Sequence, residues 1–208
     1  MFRSQKFTAF LFAGLTLASL QPNRVLSQDA FVRQIGSGNM AANIDLSGGA
    51  RNVIAQVGNQ NSSAQVNLSG RSNANTTVQV GNRNISQNVS SGINNVVGTV
   101  QLGDMHTAVA SVSGRGNTVT TFQFGYSNRS IVDLAGSNAG VGISQTGNGL
   151  SSSLTISDSM KTSPSNGLRI GVSQTSGDPA VLASVSRDAA GNIAIRPGNA
   201  TAVLKLVR

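Results

Sequence analysis

The chain contains no cysteine, no tryptophan and no glutamate, and its seven acidic residues are all aspartate. The absence of cysteine excludes a disulfide framework, so stability has to come from backbone ladders and packing. Charged residues make up 11 % and aromatic residues 4 % of the sequence, whereas Val, Ile, Thr, Asn, Ser and Gly are abundant. This composition indicates strands joined by tight turns. With 38 % hydrophobic residues, the chain is unlike a disordered one, which has low hydrophobicity and high net charge.

Proline is also scarce, and three of the four prolines, Pro164, Pro179 and Pro197, lie in the C-terminal part of the chain. Proline cannot donate to a central β-ladder. The distribution therefore predicts a regular array over residues 28–158 and a divergent, β-rich C-terminal tail over residues 159–208.

The segment 1–27 has the pattern of a secretory signal peptide. Arg3 and Lys6 precede an apolar stretch over residues 7–20, and Pro22 interrupts it shortly before Gln28. The stretch is shorter than the roughly 20 residues that a membrane-spanning helix needs. We therefore expect export with cleavage before Gln28, and an uncleaved anchor is the alternative.

Cleavage would remove three positive charges and lower the net charge from +8 to +5. A positive balance favours anionic partners, such as lipopolysaccharide, extracellular nucleic acid or an acidic protein. The alternative is that the charge only limits premature association.

The main feature of the sequence is a Gln-x-Gly triplet that recurs at an almost constant interval. The six copies begin at Gln34, Gln56, Gln79, Gln101, Gln123 and Gln145, and their glycines are Gly36, Gly58, Gly81, Gly103, Gly125 and Gly147. A second glycine series, with a strictly constant step, comprises Gly48, Gly70, Gly92, Gly114 and Gly136. A degenerate copy begins at Gln174, after a longer gap. A period of this size indicates a repeat architecture.

Each repeat alternates two strand-like runs with two Gly/Asn turns. In the second copy, residues 53–57 and 64–68 form the runs, and turns begin at Gly58 and Gly70. Gly and Asn tolerate the left-handed backbone that such corners need. The pattern predicts an all-β fold, a flattened β-solenoid of about six coils, which would stack to roughly 29 Å at about 4.8 Å per coil.

Alternation along a strand assigns residues to faces. The residue after each glutamine, such as Val57, lies opposite the glutamine, whereas the residue two positions before it, such as Ile54, shares its face. In the second run we expect Ile44 and Val66 to align with Val132 and Leu154. Copy three would interrupt this column with polar residues at positions 88 and 90 and would be the weakest coil.

Stacked coils place like residues above one another, and an amide side chain has both donors and an acceptor. The repeated glutamines, and the asparagines five positions after them, should therefore form hydrogen-bonded ladders along the rod axis, as in cross-β assemblies. These asparagines are Asn39, Asn61, Asn84 and Asn128, with His106 and Leu150 at the remaining positions.

The repeat resembles a known family. Residues 34–41, Gln-Ile-Gly-Ser-Gly-Asn-Met-Ala, look like the Q-x-G-x-G-N-x-A core of the curlin repeat of bacterial curli fibres, and a looser form recurs at Gln56, Gln79 and Gln123. The resemblance covers the array over residues 28–158, and the period matches too. The serine that the family has six positions before the glutamine is Asn73, Asn95 or Asn117 here, or Ala50 or Ala139. The second glutamine of the family repeat is not regularly present.

The resemblance implies a secreted structural subunit of a functional amyloid that builds biofilm matrix and supports surface adhesion. Its partners would be other copies, other curlin-type subunits and an outer-membrane secretion and assembly machinery. The unpaired edge of a terminal coil is a template for another chain. The basic, divergent tail, ending in Lys205 and Arg208, is similar to that of the minor, nucleating subunit. It would anchor the chain to the cell surface or cap the rod.

Other functions remain as alternatives. A monomeric secreted solenoid that acts as an adhesin would use the same ladders internally. A polysaccharide-acting β-helix enzyme would need clustered acids and bases, but the aspartates lie in different coils and His106 is the only histidine. An ice-binding face would need Thr77, Thr99 and Thr121 on an exposed side. We expect no catalytic site, no metal, no cofactor and no specific nucleic-acid binding.

Overall fold

The computed structural model describes residues 29–158, 167–187, 193–197 and 205–206, so the expected signal peptide lies outside the described residues. The regular structure in these ranges is entirely β. The strands are β1 (Asp29–Ile35), β2 (Met40–Asp45), β3 (Arg51–Val57), β4 (Ser62–Arg71), β5 (Ala74–Val80), β6 (Ile85–Ile93), β7 (Val96–Asp104), β8 (Thr107–Arg115), β9 (Thr118–Tyr126), β10 (Arg129–Ser137), β11 (Gly140–Asn148), β12 (Ser151–Asp158), β13 (Arg169–Thr175), β14 (Val181–Arg187), β15 (Ile193–Pro197) and β16 (Lys205–Leu206).

The strands form two eight-stranded sheets. Sheet A has the order β1-β3-β5-β7-β9-β11-β13-β16, and sheet B has the order β15-β14-β12-β10-β8-β6-β4-β2. Each coil therefore contributes one strand to each sheet. Neighbouring coils pair in parallel, with Gln56 opposite Gln79 and Gln79 opposite Gln101. The predicted flattened β-solenoid is confirmed.

Parallel stacking continues past residue 158. Strand β13 pairs with β11 in the register that places Gln174 opposite Gln145, and β14 pairs in parallel with β12. The last two strands run the other way, because β16 is antiparallel to β13 and β15 is antiparallel to β14. Both sheets thus end in an antiparallel strand at the C-terminal end of the rod, whereas β1 and β2 are the outermost strands at the other end.

The interior changes in character along the rod. In coils one to three it consists mainly of amides and hydroxyls, as in β5, where Asn75, Thr77 and Gln79 are fully buried. From β7 onward it contains a continuous apolar cluster that includes Val97, Leu134 and Leu154. The outer faces of the early coils carry the apolar residues instead.

The expected alignment of the second strands is wrong. Val66 pairs with Val89 and then with Ser111, and this column lies on the outer face. The inner column runs from Asn43 through Gln65, Asn88 and Ala110 to Val132 and Leu154. The corner that follows each glutamine has a constant length. The number of residues after the glutamine therefore decides whether a residue of the second strand points inward or outward, and its hydrophobicity does not. Residues 85–90 of copy three are therefore in register with β4, and the register shifts only after Asn67, where β4 has one extra residue. The interiors of all three first coils are mainly polar.

Candidate functional site

The repeated glutamines form one continuous column of hydrogen bonds along the rod. Each Nε2 donates to the Oε1 of the glutamine in the next coil, over 2.6 to 2.9 Å. The column comprises Gln34, Gln56, Gln79, Gln101, Gln123, Gln145 and Gln174. From Gln56 to Gln145 these side chains are fully buried. A buried amide that lost a partner would carry a desolvation cost of about 1–3 kcal/mol.

Each buried glutamine also connects the two sheets. Gln79 Nε2 donates to the carbonyl of Ser62 at 3.0 Å, and Gln101 Nε2 donates to that of Ile85 at 2.9 Å. Both Nε2 hydrogens are thereby used, one along the rod and one across it. The column consequently fixes the register of stacking and also the closure of each coil.

The two ends of the glutamine column differ. At the C-terminal end, Gln174 Nε2 donates to the carbonyls of Ser151 and Pro179, at 3.0 and 2.8 Å. Pro179 thus takes the place that the next glutamine would occupy. At the other end Gln34 is exposed, and no donor within the described residues reaches its Oε1. The column is closed at one end and open at the other.

The asparagines after the glutamines bond to backbone rather than to one another. Asn61 Oδ1 accepts from the backbone N–H of Asn84 at 3.0 Å, and Asn61 Nδ2 donates to the carbonyl of Gly81 at 2.8 Å. Asn39, Asn84 and Asn128 make the corresponding bonds in their coils. The amide therefore fastens each corner to the corner of the next coil.

His106 occupies the asparagine column. It is fully buried, its Nδ1 lies 3.2 Å from the backbone N of Asn128, and its Nε2 lies 3.2 Å from the carbonyl of Leu102. A neutral ring with the proton on Nε2 satisfies both contacts. Burial lowers the pKa of His106 below its ordinary value of 6.5. His106 therefore takes the place of the column asparagine, as its spacing from Gln101 predicts, and it is buried there.

A second asparagine column, at the opposite corner, was missed by the sequence analysis. Asn95 Nδ2 donates to the carbonyl of Gly114 at 3.0 Å, and Asn95 Oδ1 accepts from the N–H of Asn117 at 3.1 Å. Asn73 and Asn117 repeat this arrangement. The signal was present as a Gly-x-x-Asn spacing shared by both glycine series. These asparagines stand where the curlin pattern has serine.

Most of the corner glycines have no space for a side chain. A Cβ on Gly58 would lie 1.9 Å from the carbonyl oxygen of Gly81, and the φ of Gly58 is +115°. The situation is similar at Gly36, Gly81, Gly103, Gly125, Gly70, Gly92 and Gly114, each against a glycine carbonyl, and at Gly147, against Ser176. Gly48 and Gly136 do not have a positive φ. A side chain at most corners would thus collide with the next coil.

Polar groups also bridge the sheets inside the early coils. Asn67 Nδ2 donates to Asn52 Oδ1 at 2.8 Å, and Asn75 Nδ2 donates to Asn67 Oδ1 at 3.1 Å. The side-chain nitrogen and oxygen of Asn43 and one carboxylate oxygen of Asp45 are buried without a hydrogen-bond partner among the described residues. The first coil therefore presents unpaired polar atoms next to the open end of the rod.

The last parallel coil contains a buried ion pair. Arg187 Nε donates to Asp158 Oδ1 at 2.9 Å, and Arg187 Nη2 contacts Asp158 Oδ2. A guanidinium and a carboxylate fit this two-point geometry well. The pair joins β12 to β14 next to the strands that close the rod.

The residues considered for other functions do not converge on one site. Asp133 is exposed on the outer face of sheet B, Asp104 accepts a hydrogen bond from Asn82 at a corner, and Asp158 is paired with Arg187. Thr77, Thr99 and Thr121 are buried, so this column is not an ice-binding face. Among the described residues, no cluster of His and Asp could hold a metal ion, and no helix is long and apolar enough to cross a membrane.

Comparison with known proteins agrees with this geometry. Residues 114–147 match the family model of the curlin associated repeat. The match spans the corner at Gly114, the strand with Gln123, the asparagine corner at Asn128 and the whole of the next triplet, which ends at Gly147. No curated protein and no solved structure gives a match. Residues 114–147 thus carry a curlin associated repeat, and the neighbouring coils that stack on them keep the same glutamine register.

Proposed function

We propose that the protein is a secreted structural subunit of a curli-like functional amyloid fibre, of the nucleating or accessory type. It acts without catalysis, by offering a β-edge on which another curlin-type chain stacks. The fibre contributes to biofilm matrix and surface adhesion. The observation that carries the proposal is the glutamine column, which is open at Gln34 and closed at Gln174.

The open end offers matched groups to an incoming coil. A glutamine from that coil would donate its Nε2 to Gln34 Oε1, as each glutamine does within the rod. The buried atoms of Asn43 that lack partners would gain neighbours, and Val32, which is 46 % exposed although its counterpart Ile54 is buried, would be covered. Edge pairing would also satisfy the free backbone groups of β1 and β2.

The closed end argues for a nucleating or accessory subunit over a fibre-forming one. Head-to-tail stacking of identical chains needs a parallel edge at both ends, and the antiparallel strands β15 and β16 occupy one of them. A chain with one open end starts a stack or terminates it. The tail would in addition anchor the chain at the cell surface, where its positive charge suits anionic polymers.

The test is a seeding assay with an amyloid dye. Residues 28–208, added in small amounts to soluble residues 28–187 of the same chain, should shorten the lag before dye binding. A variant with all six repeated glutamines changed to Ala should lose this effect. If residues 28–208 stay monomeric and dye-negative and do not shorten the lag, the protein is a monomeric solenoid adhesin instead. Retained seeding by the glutamine variant would refute the role of the column separately.

Deletion of residues 159–208 in cells tests the tail. If the tail anchors the chain, the shortened protein is released into the medium. If the tail only closes the rod, the shortened protein stays with the cells and forms longer fibres.

A further inference from the structure

The outer face of sheet A carries an exposed apolar ridge. It is formed by the residues on either side of the glutamine in β5, β7 and β9, namely Val78, Val80, Val100, Leu102, Phe122 and Phe124. Val80, Phe122 and Phe124 are 40 %, 38 % and 51 % exposed. Up to the corner glycines, the outward residues of these three strands include no charged side chain. Large exposed apolar patches mark interaction sites more often than free surface.

The apolar residues of the ridge face outward although the inward positions of the same part of the rod hold mainly polar side chains. In β5 the buried positions hold Asn75, Thr77 and Gln79, and the apolar residues Val78 and Val80 point outward. The strand thus places its polar groups inside and its apolar groups outside. Burial of apolar area is the main favourable term in folding and association. In this part of the molecule the apolar side chains remain exposed after folding, so their burial can still stabilise an association between molecules.

A groove of small residues runs beside the ridge. The next outward column contains Thr76, Gly98, Thr120 and Gly142, and a shallow depression is lined by Thr120, Gly142 and Gly171, with Arg169 at its border. The ridge and the groove are parallel to the rod axis, and both repeat once per coil. The outer face of sheet A therefore projects along the ridge and is recessed along the groove.

These features point to a second copy as the occupant. A two-fold axis parallel to the rod places the ridge of each copy in the groove of the other and keeps every coil level with its counterpart. Seven parallel strands, each about seven residues long, give a face of roughly 23 Å by 34 Å, or about 780 Å². A stable interface needs about 800 Å² per partner. The outward residues of β5, β7 and β9 carry no charge up to the corners, and the arginines of this face, Arg33, Arg51 and Arg169, lie on strands nearer its two ends.

We propose that the outer face of sheet A is a lateral interface between two copies of this chain, with ridge packed into groove. In a fibre the same interface would join parallel filaments side by side. It is distinct from stacking at the rod ends, because the ridge lies on β5, β7 and β9 and not on the outermost or closing strands.

The test measures self-association of residues 28–208 by sedimentation equilibrium. Val100→Lys places a charge in the ridge and should raise the dimer dissociation constant at least about tenfold. Val109→Lys is the matched control, because Val109 is also half-buried but lies on the outer face of sheet B. It should leave the dissociation constant within about twofold.

Gly142→Val tests the fit of ridge and groove. A Cβ on Gly142 would meet its nearest atom, Thr120 Oγ1, at 3.8 Å, so the change suits the fold but fills the groove. The proposal predicts weaker dimerisation, whereas unspecific hydrophobic adhesion predicts stronger dimerisation. A monomeric wild-type protein, or a dimer that Val100→Lys leaves intact, overturns the proposal. Flotation of monomeric wild type with lipid vesicles, lost in Val100→Lys, would overturn it in favour of a membrane surface.

Discussion

The side chains of Gln145 and Gln174 are joined by a 2.8 Å hydrogen bond from Nε2 to Oε1, although 29 residues separate them. The bond between Gln123 and Gln145, across a normal repeat, has the same length. The longer connection from β12 to β13 therefore leaves the column unbroken. Position in the coil, and not sequence spacing, defines membership of the column.

A break in the middle of the column should be costly. Gln101→Ala removes one partner each from Gln79 and Gln123 and leaves two buried amides unsatisfied. We expect the free energy of unfolding to fall by about 2–4 kcal/mol, measured by urea denaturation. Gln87→Ala is the control, because Gln87 is exposed on the outer face of sheet B and should change stability by less than about 0.5 kcal/mol. Equal effects of the two changes would refute a stabilising role for the column.

A methyl group at a corner should also disrupt stacking. Gly92→Ala would place a Cβ 2.0 Å from the carbonyl oxygen of Gly114, at a φ of +105°. We expect a loss of at least about 3 kcal/mol, since both the backbone and the next coil would have to shift. Gly171→Ala has open space around its Cβ and no positive φ, so it should be neutral or slightly stabilising. Thermal unfolding of both variants provides the comparison, and a Gly92→Ala melting temperature equal to that of wild type would contradict the corner geometry.

Stability should depend on pH through His106. Because burial lowers the pKa of His106 in the folded state, the unfolded chain binds the proton more readily below about pH 6.5. The contribution of His106 to the free energy of unfolding should therefore decrease as the pH falls through 6.5 and level off below the lowered pKa. Protonation of Nδ1 would also remove the acceptor for the N–H of Asn128.

The matched variant for this prediction is His106→Asn, which restores the residue found at this position in other coils. Chemical denaturation at several pH values from about 7.5 to about 5 checks it, a range that spans the ordinary pKa of histidine. The decrease in stability below about pH 6.5 should be smaller in the variant. An identical pH profile for wild type and variant would show that His106 does not control this range.

The ion pair in the last parallel coil should be sensitive to removal of one partner only. Asp158→Ala leaves the Arg187 guanidinium buried without its carboxylate, and we expect a loss of about 3–5 kcal/mol. The double variant Asp158→Leu with Arg187→Met should recover most of this loss, because it leaves no buried charge. A double variant that is as unstable as the single one would show that the charges act through other contacts.

Much of the fold follows from the sequence, because the period, the glycines and the strand alternation are local signals. The glutamine spacing places Gln56, Gln79 and Gln101 in one column without reference to tertiary structure. The faces of the second strands could not be derived in the same way. Ile44 and Val66 are apolar but lie outside, since Asn43 and Gln65 fill the interior of the assembled coils.

The closure of the C-terminal end of the rod could not be predicted from the sequence. The short strands of the tail could be predicted, but their antiparallel direction depends on how the chain turns back. That Pro179 supplies a carbonyl to Gln174 follows from the path between β13 and β14. A proline signals an interrupted strand but does not reveal which amide its carbonyl will meet.

The most direct test of the account compares self-assembly of residues 28–187 and 28–208, monitored by dye binding and fibre diffraction. Residues 28–187 keep all seven stacked glutamines and the bond from Gln174 to Pro179, but they lack β15 and β16, so the backbone of both sheets has a parallel edge at each end. The account predicts that they form long filaments with a reflection near about 4.8 Å along the fibre axis. Residues 28–208 should form short stacks or none alone, and should shorten filaments when mixed with 28–187. Folded but monomeric 28–187, or equally long filaments from both proteins, would contradict the account.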